Sequence, residues 1–248
     1  MTPAPFVKVA AAGDAARFAM EAEGLAALAA TGAVRVPRVL DHGVRDGQAF
    51  IELERLTLAR ADAGAGATLG RQLAALHKHF GVTHGWAHDG FLGLAAQPNG
   101  FDDDWPRFFA RNRLGVMLDR AEANGYAGRI TRRGRQLVER LPELLDHRPR
   151  PSLLHGDLWH GNHGMLPDRT PVVFDPAVHY GDRECDLAMA SLFGGFQPAF
   201  FDAYIEAWPL LPGWQQRWKV YQLYHVLNHL NLFGEQYLMQ ADALLNEL

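Results

Sequence analysis

The chain has 248 residues, 48% hydrophobic and 21% charged. That composition suits a globular protein, long enough for one large domain or two lobes with a substantial core. A formal charge of −4 argues against a general nucleic-acid binder, whose surface is normally basic, while leaving room for a local positive pocket. In chain order, Pro5 to Ala10 alternate like a strand, with Lys8 between two valines. From Ala15 to Ala30 the pattern becomes helical: Phe18, Leu25 and Leu28 recur on one apolar face, Glu21 falls on that same face, and Gly32 is placed to cap the end. "RVPRVLDHG" and "QAFIELERL" read as strands joined by a turn at Asp46-Gly47. The small residues Ala61 to Thr68 suggest a connector, followed by a helix from Leu69 to His79. Loops rich in Gly, Asp and Pro (Gly81 to Asp104) lead to helices around Trp105 to Ala123 and Thr131 to Leu145, where Trp105, Phe108 and Phe109 are spaced as core. Next come "SLLHGDLWHGNHGML", a hairpin closed by "PDRT", the strand "PVVFD" and three further helical segments.

These elements suggest an α+β protein with a small lobe of strands plus one helix, residues 1–56, and a larger, mainly helical lobe, residues 57–248. An inter-lobe cleft is a usual place for a ligand. The lone cysteine, Cys185, can form no internal disulfide, which fits a reducing compartment. It reads as a passive small residue, with a reactive thiol as the alternative. No apolar run approaches the roughly 18 residues of a membrane span, and Lys8 and Asp14 interrupt what would have to be a signal peptide. A cytoplasmic protein without membrane or nucleic-acid partners is expected.

The polar stretch after Leu154 admits two chemistries. His155, His160 and His163 could converge on a metal, but they lack the helical His-x-x-x-His spacing and the glutamate of zinc hydrolases. His160 and His163 are expected at the surface or along the cleft. Asp157 and Asn162 stand five residues apart, the Asp-x-x-x-x-Asn spacing of phosphotransferases, in which the Asp takes a proton from the attacking hydroxyl and the Asn oxygen ligates a divalent cation. A hard cation needs a second oxygen anion, and Asp175 at the end of the next strand supplies one. The same template needs a strand lysine for the phosphates and a helical carboxylate to hold it. Lys8 and Glu21 meet that need, since an acid on an apolar face calls for a cation; Glu23 lies off the face. Each feature alone has a plain counterpart: a solvated lysine, a common Asp/Asn pair, a turn aspartate. All four in this order point to phosphoryl transfer.

"LLHGDLWHGN" followed by "VVFDPAVHYGDRECDLAMASLFGGF" closely resembles the fructosamine kinase (ketosamine 3-kinase) family, a branch of the aminoglycoside phosphotransferase-like kinases. The similarity continues through "GAVRVPRVL", "LGRQLAALH", "PNGFDDDWPRFF" and "YQLYHVLNHLNLFG" and covers nearly the whole chain. The resemblance implies a two-lobed protein-kinase-like fold, ATP and Mg²⁺ as cofactors, and phosphorylation of the C3 hydroxyl of a ketosamine, small or protein-linked. The adduct then decomposes and frees the amine, a deglycation or repair role. It makes Asp157 the catalytic base, Asn162 and Asp175 the metal ligands, Lys8 the phosphate-binding lysine and Glu21 its partner. Backbone groups of Glu54 and Leu56 would meet adenine. Trp159 would offer its face to the acceptor sugar, with simple packing of the loop as the alternative. Asp186 would hold the catalytic loop through its backbone amides. His225, Asn228 and His229 share a helix face placed near the acceptor, or else pack between helices.

Only seven residues precede Lys8, so the family's glycine-rich hairpin ahead of the lysine strand is expected to be missing. That would leave the first strand an exposed edge, in a monomer or weak dimer. A kinase of another small alcohol, aminoglycoside- or choline-like, and a non-catalytic nucleotide- or sugar-binding protein are the alternatives.

Overall fold

The computed structural model describes residues 4–59 and 63–248. Strands β1 (Phe6–Ala11), β2 (Val39–Arg45) and β3 (Gln48–Leu53) form an antiparallel sheet in the order β1-β3-β2, with Lys8 opposite Ile51. Asp46 and Gly47, both at positive φ (52° and 75°), make the tight turn between β2 and β3, the conformation whose twist matches that of the flanking strands. Helix α1 (Ala15–Ala30) lays Phe18, Ala22, Leu25 and Leu28 into the core that contains Ala49, Ile51 and Leu53 of β3. A Cβ at Gly24 would come within 3.1 Å of Pro176 and 3.3 Å of Val178. The bare backbone there lets α1 settle against the segment that follows Asp175, and so fixes the distance at which Glu21 stands from it.

The rest of the chain runs through α2 (Ala63–Leu76), the short strands β4 (His84–Trp86), β5 (Gly90–Leu92), β6 (Ala95–Gln97) and β7 (Gly100–Asp102), and helices α3 (Trp105–Phe109), α4 (Gly115–Ala123) and α5 (Arg129–Leu144). Strands β8 (Ser152–Leu154), β9 (His163–Met165), β10 (Pro171–Val173) and β11 (His179–Gly181) follow, then helices α6 (Glu184–Leu192), α7 (Pro198–Ala207), α8 (Trp214–Phe233) and α9 (Leu238–Glu247). Strands pair in the order β7-β4-β11-β8, with β9–β10 and β5–β6 as separate hairpins. Helix α8 is the centre of the core: Val220, Leu223, Val226, Leu227 and Leu230 are fully buried. Trp105, Phe108 and Phe109 are buried, Trp105 against Phe108 and Tyr221, and Phe109 against Tyr221 and Tyr224. Among the described residues no helix is long and apolar enough to cross a membrane.

The α+β class and the small sheet-plus-helix lobe agree with the sequence pattern. Three details differ. The helix expected from Leu69 begins at Ala63, because "AGAGAT" has too few large side chains to show a period, although its small residues let α2 lie close against α7; residues 60–62 of the expected connector lie outside the described residues. Four short strands occupy the stretch expected to be loop between Gly81 and Asp104. Four helices rather than three follow "PVVFD", with β11 ahead of them.

Candidate active site

The apolar strand β8 delivers the chain to His155, which is fully buried. The imidazole Nε2–H donates to the Phe174 carbonyl (3.0 Å), and Nδ1 accepts the amide of Asp157 (3.3 Å). Burial holds this ring well toward its neutral form, the state that can donate at one nitrogen and accept at the other. Asp186 on α6 accepts the backbone amides of His155 (2.7 Å) and Gly156 (2.8 Å), and is itself bonded by His77 Nε2 at 3.0 Å. Tyr204 closes the chain on His77 Nδ1 (2.8 Å). Burial alone would raise the Asp186 carboxyl, but His77 and the loop amides hold it below its ordinary value. Gly156 adopts φ 82°, and a Cβ there would strike the Ala177 carbonyl at 2.0 Å; only glycine permits this bend. The loop is thus clamped on both sides before it presents Asp157.

Asp157 stands at the floor of a cleft with Asn162, whose Nδ2 donates to the Asp157 backbone carbonyl (2.9 Å) and carboxylate (3.1 Å). Burial pushes the Asp157 carboxyl up to about 7, Asn162 opposing and the charges of Asp175 and Asp186 adding to the rise. Asp175, with φ 56°, follows β10, and its Oδ1 accepts from Lys8 Nζ at 2.5 Å. The same ammonium reaches Glu21 Oε1 at 2.7 Å. Burial works against the Lys8 charge, yet the two carboxylates outweigh it and hold its pKa above the usual lysine value. β1, α1 and the β10–β11 connection therefore meet at one ammonium group. Two carboxylates and an amide oxygen form a hard donor set that suits Mg²⁺, and Lys8 suits phosphate oxygens.

The cleft has a volume of about 280 Å³ and is lined by all five of these residues, together with Trp159, Asn228 and His229. His225 does not line it; it is buried in the helix packing beside Tyr224, and burial drives its ring down to about 3. An adjoining apolar cavity of about 230 Å³ shares Lys8 and Asp175 with the cleft and is walled by Phe6, Pro37, Leu53, Leu58 and Phe174, with Glu54 and Leu56 at its edge. The apolar walls suit a heterocycle. Glu54's side chain is engaged by Arg35 (2.6 Å) and its amide by the Arg38 carbonyl (2.8 Å); its own carbonyl and the Leu56 amide make no hydrogen bond among the described residues.

The three loop histidines do not assemble as ligands: both nitrogens of His155 are engaged, and the ring of His163 packs against Phe196 at 4.3 Å. Among the described residues the only metal-competent His/acid group is His147, Asp182 and Glu184, and there Arg217 takes Glu184 while Tyr221 takes Asp182. Cys185 is buried, and burial raises its thiol far above the reactive range. Sequence reading missed Arg17 and Gln97, which line the cleft, and His77, which lies behind Asp186. Arg17 precedes Glu21 by one helical turn, so the face that singled out Glu21 also carried it.

Comparison with known proteins bears on this geometry. The family model described as fructosamine kinase matches residues 3–248. A probable ketoamine kinase of Synechocystis sp. is 44% identical over 244 residues, covering 98% of this chain and 82% of the relative. The crystal structure of a putative fructosamine-3-kinase from Haemophilus somnus superposes with a TM-score of 0.91 at 33% identity, covering 98% of this chain and 83% of that one. A choline/ethanolamine kinase family protein from Mesorhizobium loti shares the fold alone, with a TM-score of 0.62 and 15% identity over 100% of this chain and 82% of that one.

Proposed function

Because the chain belongs to the fructosamine kinase family and is therefore a phosphotransferase, we propose that it phosphorylates the C3 hydroxyl of ketosamines with ATP. The observation that supports this reading is the convergence of Lys8, Glu21, Asp157, Asn162 and Asp175 on one cleft. In this reading the lobe of residues 1–56 holds the nucleotide, and residues 57–248 supply the catalytic loop and acceptor site. Carbonyl and amide groups of Glu54 and Leu56 read the adenine edge in the apolar cavity. Lys8, fixed by Glu21, donates to phosphate oxygens. Asp175 and the Asn162 side-chain oxygen would hold Mg²⁺, and the ATP complex so held supplies a phosphoryl group with part of its charge neutralised.

Asp157 accepts the proton of the attacking hydroxyl as that oxygen bonds to the γ-phosphorus, while the bond from the γ-phosphorus to the bridging oxygen breaks and ADP leaves. A carboxyl raised to about 7 is matched to that task at neutral pH, where a base of ordinary carboxylate strength would be weaker. Phosphate next to the C2 carbonyl of the product is a leaving group; its β-elimination and hydrolysis of the remainder release the amine, which gives the reaction a deglycating role. The need for ATP makes the cytoplasm the expected compartment.

The test is Asp157→Ala assayed by ADP release with fructosyl- or ribulosyl-lysine. Loss of a general base is expected to lower kcat by about 10²–10⁴-fold, with the thermal midpoint retained. Undiminished turnover would exclude the mechanism.

A further inference from the structure

The cleft lined by Lys8 is also lined by two side chains whose hydrogen-bonding capacity is unmet. Gln97, at the end of β6, is 1% exposed, and Asn228, in the middle of α8, is 4% exposed. Both line the cavity that contains Asp157. Gln97 Nε2 donates to the Tyr224 hydroxyl (3.1 Å), while its Oε1 has no partner among the described residues. Asn228 Oδ1 is likewise unpartnered among the described residues. Buried polar groups without partners carry a desolvation cost and are uncommon unless something else completes them.

The neighbourhood is not loosely built. Asn99, two residues beyond Gln97, has its amide, side-chain oxygen and side-chain nitrogen all engaged, by Asp89 (2.8 Å), Arg113 (2.7 Å) and the His88 carbonyl (2.8 Å). Buried Arg113 also donates to the Pro98 carbonyl at 2.6 Å. The β5–β6 hairpin is therefore fixed where it presents Gln97, and Tyr224 holds that side chain's other end.

We propose that Gln97 and Asn228 select the acceptor by hydrogen-bonding hydroxyls of its sugar rather than its amine. An amide offers one acceptor and one donor group, which matches a hydroxyl that does both; an ammonium can only donate and is matched by a carboxylate. Among the described residues the acids lining the cleft are Glu21, Asp157 and Asp175. Glu21 is held by Lys8, Asp175 is assigned to Mg²⁺ and Asp157 to the reacting hydroxyl, so none of these carboxylates is left to read an ammonium group. This rests on the proposed ketosamine kinase activity and names the part of the substrate that is recognised.

The experiment compares fructosyl-lysine with its 4-, 5- and 6-deoxy analogues, and with choline and an aminoglycoside, by ADP release. With the unaltered protein, at least one deoxy analogue should lose about 3- to 10-fold in kcat/KM, the size of a neutral hydrogen bond. In Gln97→Leu or Asn228→Leu that loss should shrink toward unity, with KM for ATP unchanged. Equal kcat/KM for all deoxy analogues, or a penalty that persists in both variants, overturns the hydroxyl readout while leaving the kinase assignment standing. Preference for choline or the aminoglycoside, with no turnover of any ketosamine, overturns both. The comparison on the unaltered protein is decisive even if a variant fails to fold.

Discussion

Replacing Asp186 by Asn tests whether the clamp behind the catalytic loop positions Asp157. The carboxylate is 1% exposed and accepts two backbone amides at 2.7 and 2.8 Å, with His77 at 3.0 Å on the same oxygen as the first. In Asp186→Asn one oxygen becomes an NH₂ group. Whichever way the amide turns, one of the His155 and Gly156 amides then faces a donor. An unpaired buried donor costs about 1–3 kcal/mol, and a bond to a charged acceptor is worth about 1.5–3 kcal/mol. The expected loss is therefore about 2.5–6 kcal/mol, a large part of the roughly 5–15 kcal/mol of a typical domain. Because the displaced amides lie one and two residues before Asp157, kcat should fall by about 100-fold, the effect of a misplacement near 1 Å. Urea unfolding followed by tryptophan fluorescence gives the first quantity, and ADP release at saturating substrates gives the second. Asp186 is held below its ordinary pKa, so it stabilises the fold above the unfolded-state value near 3.9 and loses that contribution as pH falls through its folded value. The gap between the two proteins should therefore narrow toward pH 3. A variant within 1 kcal/mol and threefold in kcat of the parent would show that the loop holds itself.

His225 supplies a second pH test with the opposite ion type. Its folded pKa is depressed to about 3, so the unfolded chain binds the proton first, and stability is lost as pH falls below about 6.5. His225→Leu should lose about 2 kcal/mol less than the parent between pH 7 and pH 5, read from urea unfolding at both; equal losses would refute the burial argument. The charge balance of the cleft supplies a third expectation. Among the described residues lining the cleft, Glu21, Asp157 and Asp175 are matched by two cations, Lys8 and Arg17, and Arg17 also lies 3.9 Å from Asp14. A free triphosphate is repelled there, so ATP should bind at least about tenfold more weakly in EDTA than with Mg²⁺ by isothermal titration. Equal affinities would remove the cation from the site.

What the sequence revealed and what it hid follow one physical division. Glu21 was legible because an acid on the Phe18/Leu25/Leu28 face cannot be buried alone, and its partner had to be a cation brought from elsewhere. Asp157, Asn162 and Asp175, which the fold brings to one cleft, stood out because the phosphotransferase pattern prescribes their residue types and spacing. His77 obeys the rule that found Glu21: it lies just past the end of α2, one turn beyond Leu73, whose carbonyl accepts its amide, and it has no exposure. It was passed over because the helix was read for its apolar residues alone. Strands β4 to β7 and β11 were hidden for a different reason. Each has three residues, too few to display an alternation, and each is a strand only through a partner, as Tyr180 is through Gly85 and Leu153. The small residues of α2 left its first turns equally silent.

The same division separates scaffold from site inside the cleft. His155 uses both ring nitrogens, Asp186 both oxygens, and Asn99 its amide and its whole side chain. These inventories are closed, so such residues act on the chemistry only by holding something else in place. Gln97 and Asn228 are as deeply buried as those three, yet their amide oxygens are unpaired. A folded chain keeps a buried polar atom unpaired only against a free-energy cost of about 1–3 kcal/mol. The surrounding packing had ways to avoid that cost, since a leucine at either position would leave nothing unpaired on its own side chain. Retaining two such atoms in the cleft that contains Asp157, whose carboxyl is raised to about 7, makes sense if a ligand completes them. Polar type and burial can be guessed along a chain, but whether an inventory is closed depends on partners far apart in sequence, such as Tyr224 for Gln97. For that reason the proposed acceptor wall became readable only in three dimensions, while the set of Lys8, Glu21, Asp157, Asn162 and Asp175 that lines the cleft was readable in one.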